Sequence, residues 1–321
     1  MKIAIFVGLV IATGMECKAQ PITAGIVAAG YAAPTPIKVA PGQLITVFVH
    51  GLGSNLTKAV RATTRPLPSS LAGISAKFIQ YNPEQIIPIL AVEPIATCTD
   101  RALTGCSSYV AITVQIPFEI QADDPTSPRG GPVGGALLLF FENGVPAAGV
   151  DLTPVVDQVH LLHSCDLVLL NRDSACRPIV VHANGKLVTS SDPADAGEQI
   201  VIYGVGLGWP STPIPTGDTV TALSPTSIQF RIGFDARPNA LASRPPLITE
   251  ASGNLAMPPA FSGLTAGFVG LYQVNVVVPS LPKGATACSA GPVGRVESNM
   301  TINVAGPASF AGVGICVRTE P

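Results

Sequence analysis

Glycine and proline interrupt this chain of 321 residues so often that a mostly helical fold is excluded. The sequence contains 32 glycines and 31 prolines, together about a fifth of all residues. These are the two poorest helix formers, whereas short strands joined by many turns tolerate both. Because 47% of the residues are hydrophobic and only 12% are charged, the composition is that of a folded protein rather than a disordered one. The sequence therefore predicts an all-β fold.

The N-terminal region has the pattern of a secretory signal peptide. A positively charged start precedes an apolar stretch at 3–14, which is too short to span a bilayer. Cys17 and Ala19 are small residues at the −3 and −1 positions of a cleavage site after Ala19. The alternative is a lipoprotein signal with Cys17 lipidated, although Glu16 fits poorly before that cysteine. We therefore expect residues 1–19 to be a signal peptide and the mature chain, without a transmembrane segment, to be secreted or extracytoplasmic, in the periplasm or at the cell surface.

The charge balance restricts the possible partners. The formal net charge is −2, and the charges of both signs are spread along the chain. Nucleic-acid binding needs a basic face, which this distribution does not provide. The expected partner is a surface protein or a polysaccharide, and not a nucleic acid.

Six cysteines remain after the predicted cleavage, and an even number in an exported chain indicates disulfides. Several pairings are possible, and short separations in sequence favour local ones. Free or metal-bound thiols are the alternative. The predicted pairs are Cys98–Cys106, Cys165–Cys176 and Cys288–Cys316.

Two stretches of the chain resemble each other at a constant offset of 155 residues. "PGQLITVFVHGLG" at 41–53 aligns with "AGEQIVIYGVGLG" at 196–208. In each, alternating side chains predict a strand, and the final Gly-Leu-Gly predicts a sharp turn whose leucine, Leu52 or Leu207, closes the end of the core. Later segments also resemble each other in the same order: 110–120 resembles 272–282, and 135–152 resembles 298–315. This internal repeat predicts two β-sandwich domains in tandem.

The domain division follows from these paired segments. We place the first β-sandwich domain, together with connecting strands, at 20–177 and the second at 178–321. In "ANGK" at 183–186, Asn-Gly between two apolar runs predicts a hairpin turn.

Several motifs in both halves resemble one family. "PGQLITVFVHGLG", "PLPSSLAGISAKF", "GEQIVIYGVGLG" and "FSGLTAGFVGLYQVNVVVP" resemble the uncharacterised C-terminal domain family of exported Solibacter (acidobacterial) proteins. The resemblance covers nearly all of the mature chain and is stronger in the second half, because "SYVAITVQIPFEI" lacks the Tyr-Gln-x-Asn motif. It implies immunoglobulin-like domains similar to IPT/TIG domains, an extracytoplasmic location and no assigned activity. The residues that match the last motif are Tyr272, Gln273, Val274, Asn275, Val278 and Pro279.

One stretch, "VHGLGS" at 49–54, resembles the oxyanion-hole turn of a serine hydrolase. The nucleophile motif Gly-x-Ser-x-Gly is absent from the sequence, however, and the repeat explains the Gly-Leu-Gly as a turn. The favoured function is therefore a non-enzymatic binding or structural module without catalytic residues. The alternative is a secreted hydrolase acting on carbohydrate or ester, and a third hypothesis is an accessory part of a larger assembly.

Metal binding is the other chemistry that the residue types suggest. His160, His163, Cys165 and Cys176 are potential zinc ligands. In a strand, however, the odd spacing directs the two histidines to opposite faces, and a disulfide accounts for the thiols. The acidic pair at 123–124 is too small for a calcium loop. We therefore predict neither a metal site nor a cofactor.

The single tryptophan, Trp209, follows the second Gly-Leu-Gly directly. It is a possible contact residue on a loop tip, or alternatively it covers the end of the sandwich. His50 and His182 are expected at the surface or at a sheet edge.

Overall fold

The structure is a computed structural model that describes residues 25–29, 37–53, 55–80, 84–96, 108–124, 134–169, 172–240, 257–289 and 296–319. These ranges contain β-strands and no helix, so the fold is all-β, as the composition predicted. The strands of the N-terminal half are β1 (Gly25–Ala29), β2 (Ile37–Val39), β3 (Leu44–His50), β4 (Val60–Arg61), β5 (Ser70–Leu71), β6 (Ile74–Ile79), β7 (Gln85–Ile87), β8 (Ile89–Ala96), β9 (Ser108–Gln115), β10 (Ala136–Glu142) and β11 (Val145–Pro154). Those of the C-terminal half are β12 (His160–Leu161), β13 (Val180–Val181), β14 (Gln199–Val205), β15 (Ser224–Pro225), β16 (Arg231–Asp235), β17 (Phe261–Leu264), β18 (Tyr272–Val277), β19 (Met300–Ala305) and β20 (Phe310–Ile315).

Each half contains two sheets. In the N-terminal half, one sheet has the order β1-β3-β9-β8-β4 and the other β2-β11-β10-β6-β5, with β7 also paired to β6. In the C-terminal half, the orders are β12-β14-β18-β17-β15, with β13 also paired to β14, and β16-β19-β20. The pairs are antiparallel, except that β2 runs parallel to β11. The apolar faces of the two sheets in each half meet in a common core, which is the arrangement of a β-sandwich.

The alternating side chains of β3 and β14 explain why these strands form. Ile45, Val47 and Val49 of β3 are fully buried in the N-terminal core. Ile200 and Ile202 occupy the matching face of β14 in the C-terminal core. Successive side chains of a strand point to opposite faces, so the alternation predicted from the sequence becomes one buried face per strand.

The Gly-Leu-Gly segments close the ends of both cores. Leu52 and Leu207 are 2% and 0% exposed. The glycines on either side of each leucine have positive φ angles, which other residues adopt only with strain. Gly206 also packs so closely against the Gln158 carbonyl oxygen that a Cβ atom would overlap with it. These contacts confirm the predicted position of both leucines.

The segment that connects the two halves begins to pair with C-terminal strands at residue 160, before the predicted domain boundary at residue 177. His160 and Leu161 of β12 pair with β14, and so does β13. Strand pairing therefore assigns 160–161 to the C-terminal half, while the division into two domains stays a prediction. The predicted turn at Asn184 is present: Gly185 has a φ angle of 82°, and the hydrogen bond from the Gly185 amide to the His182 carbonyl closes it.

A small apolar cluster lies between the halves. Leu44, Leu67 and Leu90 come from the N-terminal half and pack with buried residues of the C-terminal half. The C-terminal members are Leu162, Val168, Val205 and Val269.

Among the described residues, there is no helix that is long and apolar enough to cross a membrane.

Candidate functional site

A groove of about 630 Å³ opens on the C-terminal half and is the candidate binding site. One wall is formed by 175–180 and 188–191, and the opposite wall by the end of β20 and the residue after it, 314–316. Ser289 and Glu297 complete the rim. Small-molecule sites in proteins commonly have volumes of this order.

Two disulfides anchor the walls of the groove. Cys165 pairs with Cys176, and Cys288 pairs with Cys316, as their spacing predicted. Cys176 lies on one wall and Cys316 on the other. The third predicted pair, Cys98–Cys106, lies outside the described residues.

The lining of the groove combines hydroxyl groups with apolar side chains. One basic residue, Arg177, and one acidic residue, Glu297, border it, so its charges are balanced. Such a surface suits an uncharged ligand that offers both hydrogen-bonding groups and apolar contacts. The hydroxyl groups belong to Thr189, Ser190, Ser191 and Ser289, and the aliphatic side chains to Val180, Val188 and Ile315.

A buried histidine fixes the segment that leads into the groove wall. We expected His182 at the surface or at a sheet edge. It directly follows β13 and is only 8% exposed, because its ring lies between Glu198 and Asp192. Its Nδ1 lies 2.6 Å from Glu198 Oε1, and its Nε2 lies 3.2 Å from the Asp192 carbonyl oxygen. Burial lowers the pKa of His182, but hydrogen bonds to Glu198 and to the Asp192 carbonyl, with the charges of both carboxylates, raise that pKa overall. Both ring nitrogens are therefore engaged in holding this segment.

His160 and His163 both contact the Asp166 carboxylate, which the sequence analysis did not identify. Asp166 Oδ2 lies 2.9 Å from His160 Nε2 and accepts a hydrogen bond of 2.7 Å from the His163 amide. Burial tends to raise the pKa of Asp166, but the hydrogen bonds from His160 and the His163 amide lower it overall. His163 Nδ1 lies 3.2 Å from the Leu161 carbonyl oxygen. Within the described ranges, groups of three or more His, Cys, Asp or Glu side chains arranged to hold a metal ion do not occur.

Trp209 connects the two halves. Its indole Nε1–H donates a hydrogen bond of 2.7 Å to the Phe118 carbonyl oxygen, and its ring packs against the C-terminal core. Nearby, the Gly217 amide donates to the buried Gln115 side chain at 2.7 Å. The Phe118 amide donates to Thr216 Oγ1 at 2.8 Å. The predicted contact residue therefore makes an internal contact between the halves.

The tyrosine of the Tyr-Gln-Val-Asn motif contributes to the C-terminal core and to the turn after β14. Tyr272 is fully buried, and its hydroxyl donates a hydrogen bond to the Gly208 carbonyl oxygen. Burial raises the pKa of this hydroxyl, so it stays protonated. The motif thereby fixes the turn after β14.

Comparison of the chain with models of known protein families yields no match, and comparison with curated proteins yields none either. The resemblance to the Solibacter family therefore stays a prediction.

Proposed function

We propose that this chain is an exported, non-enzymatic binding or structural protein of the cell surface or extracellular space. The observation that carries the proposal is the groove between Cys176 and Cys316, whose walls are each anchored by a disulfide. Pre-formed walls lower the entropy lost on binding, which favours a recognition role.

The strand order supports an immunoglobulin-like architecture in tandem. In the N-terminal half, β1, β3, β9 and β8 adjoin in the order A-B-E-D, and β11, β10 and β6 in the order G-F-C. β12, β14, β18 and β17 have the first order in the C-terminal half, and β20, β19 and β16 the second. This common order also supports the internal repeat. Sandwiches of this kind serve many binding functions, so the architecture favours the proposal without specifying a ligand.

The two disulfides support an extracytoplasmic location. Disulfides form and persist in oxidising compartments and are rare in the cytosol. Mass spectrometry of the natural protein should find an N-terminus at residue 20 if the signal peptide is removed as predicted. An intact N-terminus together with reduced cysteines would contradict the export part of the proposal.

The binding role is tested with the purified mature chain on a panel of polysaccharides and purified surface proteins. Ser190 lies on the groove wall, so Ser190→Trp should fill the groove and abolish binding to any ligand that the wild type retains. Asp151→Ala, on the exposed face of the N-terminal half, serves as the matched control. Binding that survives in Ser190→Trp would place the ligand elsewhere.

A broad hydrolase substrate screen tests the alternative function. Carbohydrate or ester cleavage that disappears on changing His50, His160 or His163 to alanine would contradict a non-enzymatic role. We expect no turnover above that of heat-denatured protein.

A further inference from the structure

The groove wall at 188–191 ends in a turn that is closed on one carbonyl oxygen. The Thr189 amide donates a hydrogen bond to the Asp192 carbonyl oxygen at 2.9 Å, and the Asp192 amide donates to Thr189 Oγ1 at 3.1 Å. Thr189 Oγ1 also lies 3.1 Å from Ser191 Oγ, so the hydroxyl groups of this wall belong to the turn. The Asp192 carbonyl therefore holds the wall in shape.

The same carbonyl oxygen is a partner of the buried His182 ring. His182 Nε2 lies 3.2 Å from it, and His182 Nδ1 lies 2.6 Å from Glu198 Oε1. A carbonyl oxygen and an ionised carboxylate accept hydrogen bonds but cannot donate them. Both contacts are therefore hydrogen bonds only when both ring nitrogens carry a proton, which is the imidazolium form.

The neutral ring has one proton and can donate only one of these two bonds. The contact with Glu198 is the shorter one, and hydrogen bonds to charged acceptors are the stronger ones, so the remaining proton stays on Nδ1. The Nε2 lone pair then faces the Asp192 carbonyl oxygen, and two acceptors in contact repel each other. Deprotonation of His182 therefore removes a hydrogen bond from the turn and pushes its carbonyl away.

The charged groups around the ring favour its protonated form. The carboxylates of Glu198 and Asp192 act on it from the residue before β14 and from the turn, and Asp192 Oδ2 lies 3.9 Å from Nε2. Arg318, just after β20, is close to the same two carboxylates but is paired with Asp195. Lys186, in the hairpin next to the histidine, has an exposed side chain. The surroundings of the ring are therefore acidic, and they raise its pKa above the usual value.

We propose that His182 is a pH-dependent switch of the groove: the protonated ring holds the wall at 188–191 in its binding shape, and loss of the proton releases the wall. This inference rests on the proposed binding function and adds the regulation of its site. A ligand that contacts the hydroxyl groups of the wall binds at acidic pH and is released as the pH rises, because a released wall must be ordered again at an entropic cost.

Amide hydrogen exchange tests the switch without a ligand, when it is followed by NMR spectroscopy and corrected for the intrinsic rate at each pH. The protection of the Thr189 amide, which donates to the Asp192 carbonyl, should fall about tenfold between pH 6 and pH 8.5, the effect of one typical hydrogen bond. The Asn143 amide, which donates to the Gly73 carbonyl in the N-terminal half, is the control and should keep its protection. Equal protection of Thr189 at both pH values would overturn the proposal.

Two variants distinguish a proton-dependent contact from a structural one. His182→Gln lacks an ionisable ring and should make the protection of the Thr189 amide independent of pH. In Glu198→Gln, the new amide can donate to Nδ1, so the neutral ring donates through Nε2 to the Asp192 carbonyl. This variant should therefore keep the protection of Thr189 at both pH values.

A matched variant and a stability measurement complete the test. His50→Gln removes a histidine of the N-terminal half, and its Thr189 amide should respond to pH as in the wild type. Thermal unfolding identifies a variant that fails to fold, in which case the other of the two ring variants provides the test. A pH response of Thr189 that persists in His182→Gln or in Glu198→Gln would overturn the proposal.

The outcomes distinguish this inference from the proposed function. Each polysaccharide or surface protein of the panel that the wild type retains in the groove should bind about tenfold more weakly at pH 8.5 than at pH 6, and equally at both in Glu198→Gln. Retention that is independent of pH, with unchanged protection of Thr189, would overturn the switch and leave the binding function intact. A pH-dependent Thr189 amide in a chain that retains no member of the panel would contradict the binding function and leave the switch of the wall intact.

Discussion

The hairpins β10–β11 and β19–β20 occupy equivalent places in the two halves but are closed by different means. Asn143 and Gly144 form the turn of the first hairpin, with φ angles of 50° and 83° that suit a tight hairpin turn. The second turn, at 306–309, is held by Asp157, which comes before β12 in the chain. The Asp157 carboxylate accepts hydrogen bonds from the Ala308 amide at 2.8 Å, the Ser309 amide at 3.0 Å and the Ser309 hydroxyl at 2.6 Å.

The difference shows that the C-terminal hairpin depends on distant parts of the chain. Asp157 is fully buried, and burial raises its pKa even though the hydrogen bonds from Ser309 and Ala308 lower it. The Cys288–Cys316 disulfide adds a second non-local restraint just after β20. The β10–β11 turn also has a distant contact, because the Asn143 amide donates a hydrogen bond of 2.8 Å to the Gly73 carbonyl oxygen, but this acceptor belongs to the backbone and not to a side chain. We therefore expect the C-terminal hairpin to be more sensitive to the loss of a single distant side chain.

The largest effect is expected from removing the Cys288–Cys316 disulfide. Its cysteines are 28 residues apart, and the loop-entropy relation gives a loss of about 3.6 kcal/mol in the free energy of unfolding for the double change to alanine. The Cys165–Cys176 pair, 11 residues apart, should cost less, about 2.8 kcal/mol. Urea unfolding at pH 7 measures both losses. Equal stability of the wild type and the Cys288/Cys316 variant would show that this disulfide does not stabilise the C-terminal hairpin.

The next largest effect is expected from Asp157→Ala. The change leaves the amides of Ala308 and Ser309 without their acceptor, and a buried unsatisfied group costs about 1–3 kcal/mol. Asp151→Ala is the control, because Asp151 is exposed on β11 and should change stability by less than about 0.5 kcal/mol. Urea unfolding checks both. A loss for Asp157→Ala no larger than that of the control would show that the hairpin closes without this carboxylate.

Gly306 tests whether Asp157 packs against the C-terminal hairpin, because a Cβ atom at residue 306 would overlap with the Asp157 carboxylate. Gly306→Ala should therefore destabilise the wild type but have little effect in the Asp157→Ala background. A double-mutant cycle measures this coupling, which should be at least about 1 kcal/mol. Additive effects would mean that the two residues do not interact.

The local features of the fold could be predicted from the sequence because neighbouring residues determine them. Alternation predicted β3 and β14, and the Gly-Leu-Gly motif predicted where Leu52 and Leu207 lie. Spacing predicted the two disulfides that lie among the described residues. In each case the signal lies within a few tens of residues.

The features that the sequence did not predict depend on partners far apart in the chain. Trp209 and Phe118, whose hydrogen bond joins the halves, are 91 residues apart. Asp157 lies 151 residues from Ala308, and no local pattern distinguishes it from an exposed aspartate. The groove likewise combines separate segments, so its volume and lining exist only after the chain has folded.

A smaller effect is expected in the N-terminal hairpin. Gly144 has open space around it, so Gly144→Ala adds no clash and costs only the backbone strain of a left-handed residue, about 1–2 kcal/mol. Gly144→Asn should cost less, because asparagine adopts this conformation more readily. Thermal unfolding of both variants measures the difference. A loss larger than that of Asp157→Ala would reverse the expected order of the two hairpins.

The smallest effect is expected from the pH dependence of the His182 contact, which lies in the C-terminal half. The pKa of His182 is raised above its usual 6.5 because the hydrogen bonds and charges of Glu198 and Asp192 outweigh burial. The folded state therefore binds this proton more tightly than the unfolded state does. The resulting stabilisation should be fully present below about pH 6.5 and disappear as the pH rises through the raised value.

Urea unfolding followed by the fluorescence of Trp209, the single tryptophan, measures this effect in the C-terminal half. The stability advantage of wild type over His182→Gln should be larger at pH 6 than at pH 8.5. Glu198→Gln, which retains a hydrogen-bonding side chain but removes the negative charge, should reduce the pH dependence while leaving His182 in place. An advantage that is constant across this range, or one that grows as the pH rises, would show that His182 stays neutral in the folded protein and braces the groove wall only as a hydrogen-bonding group.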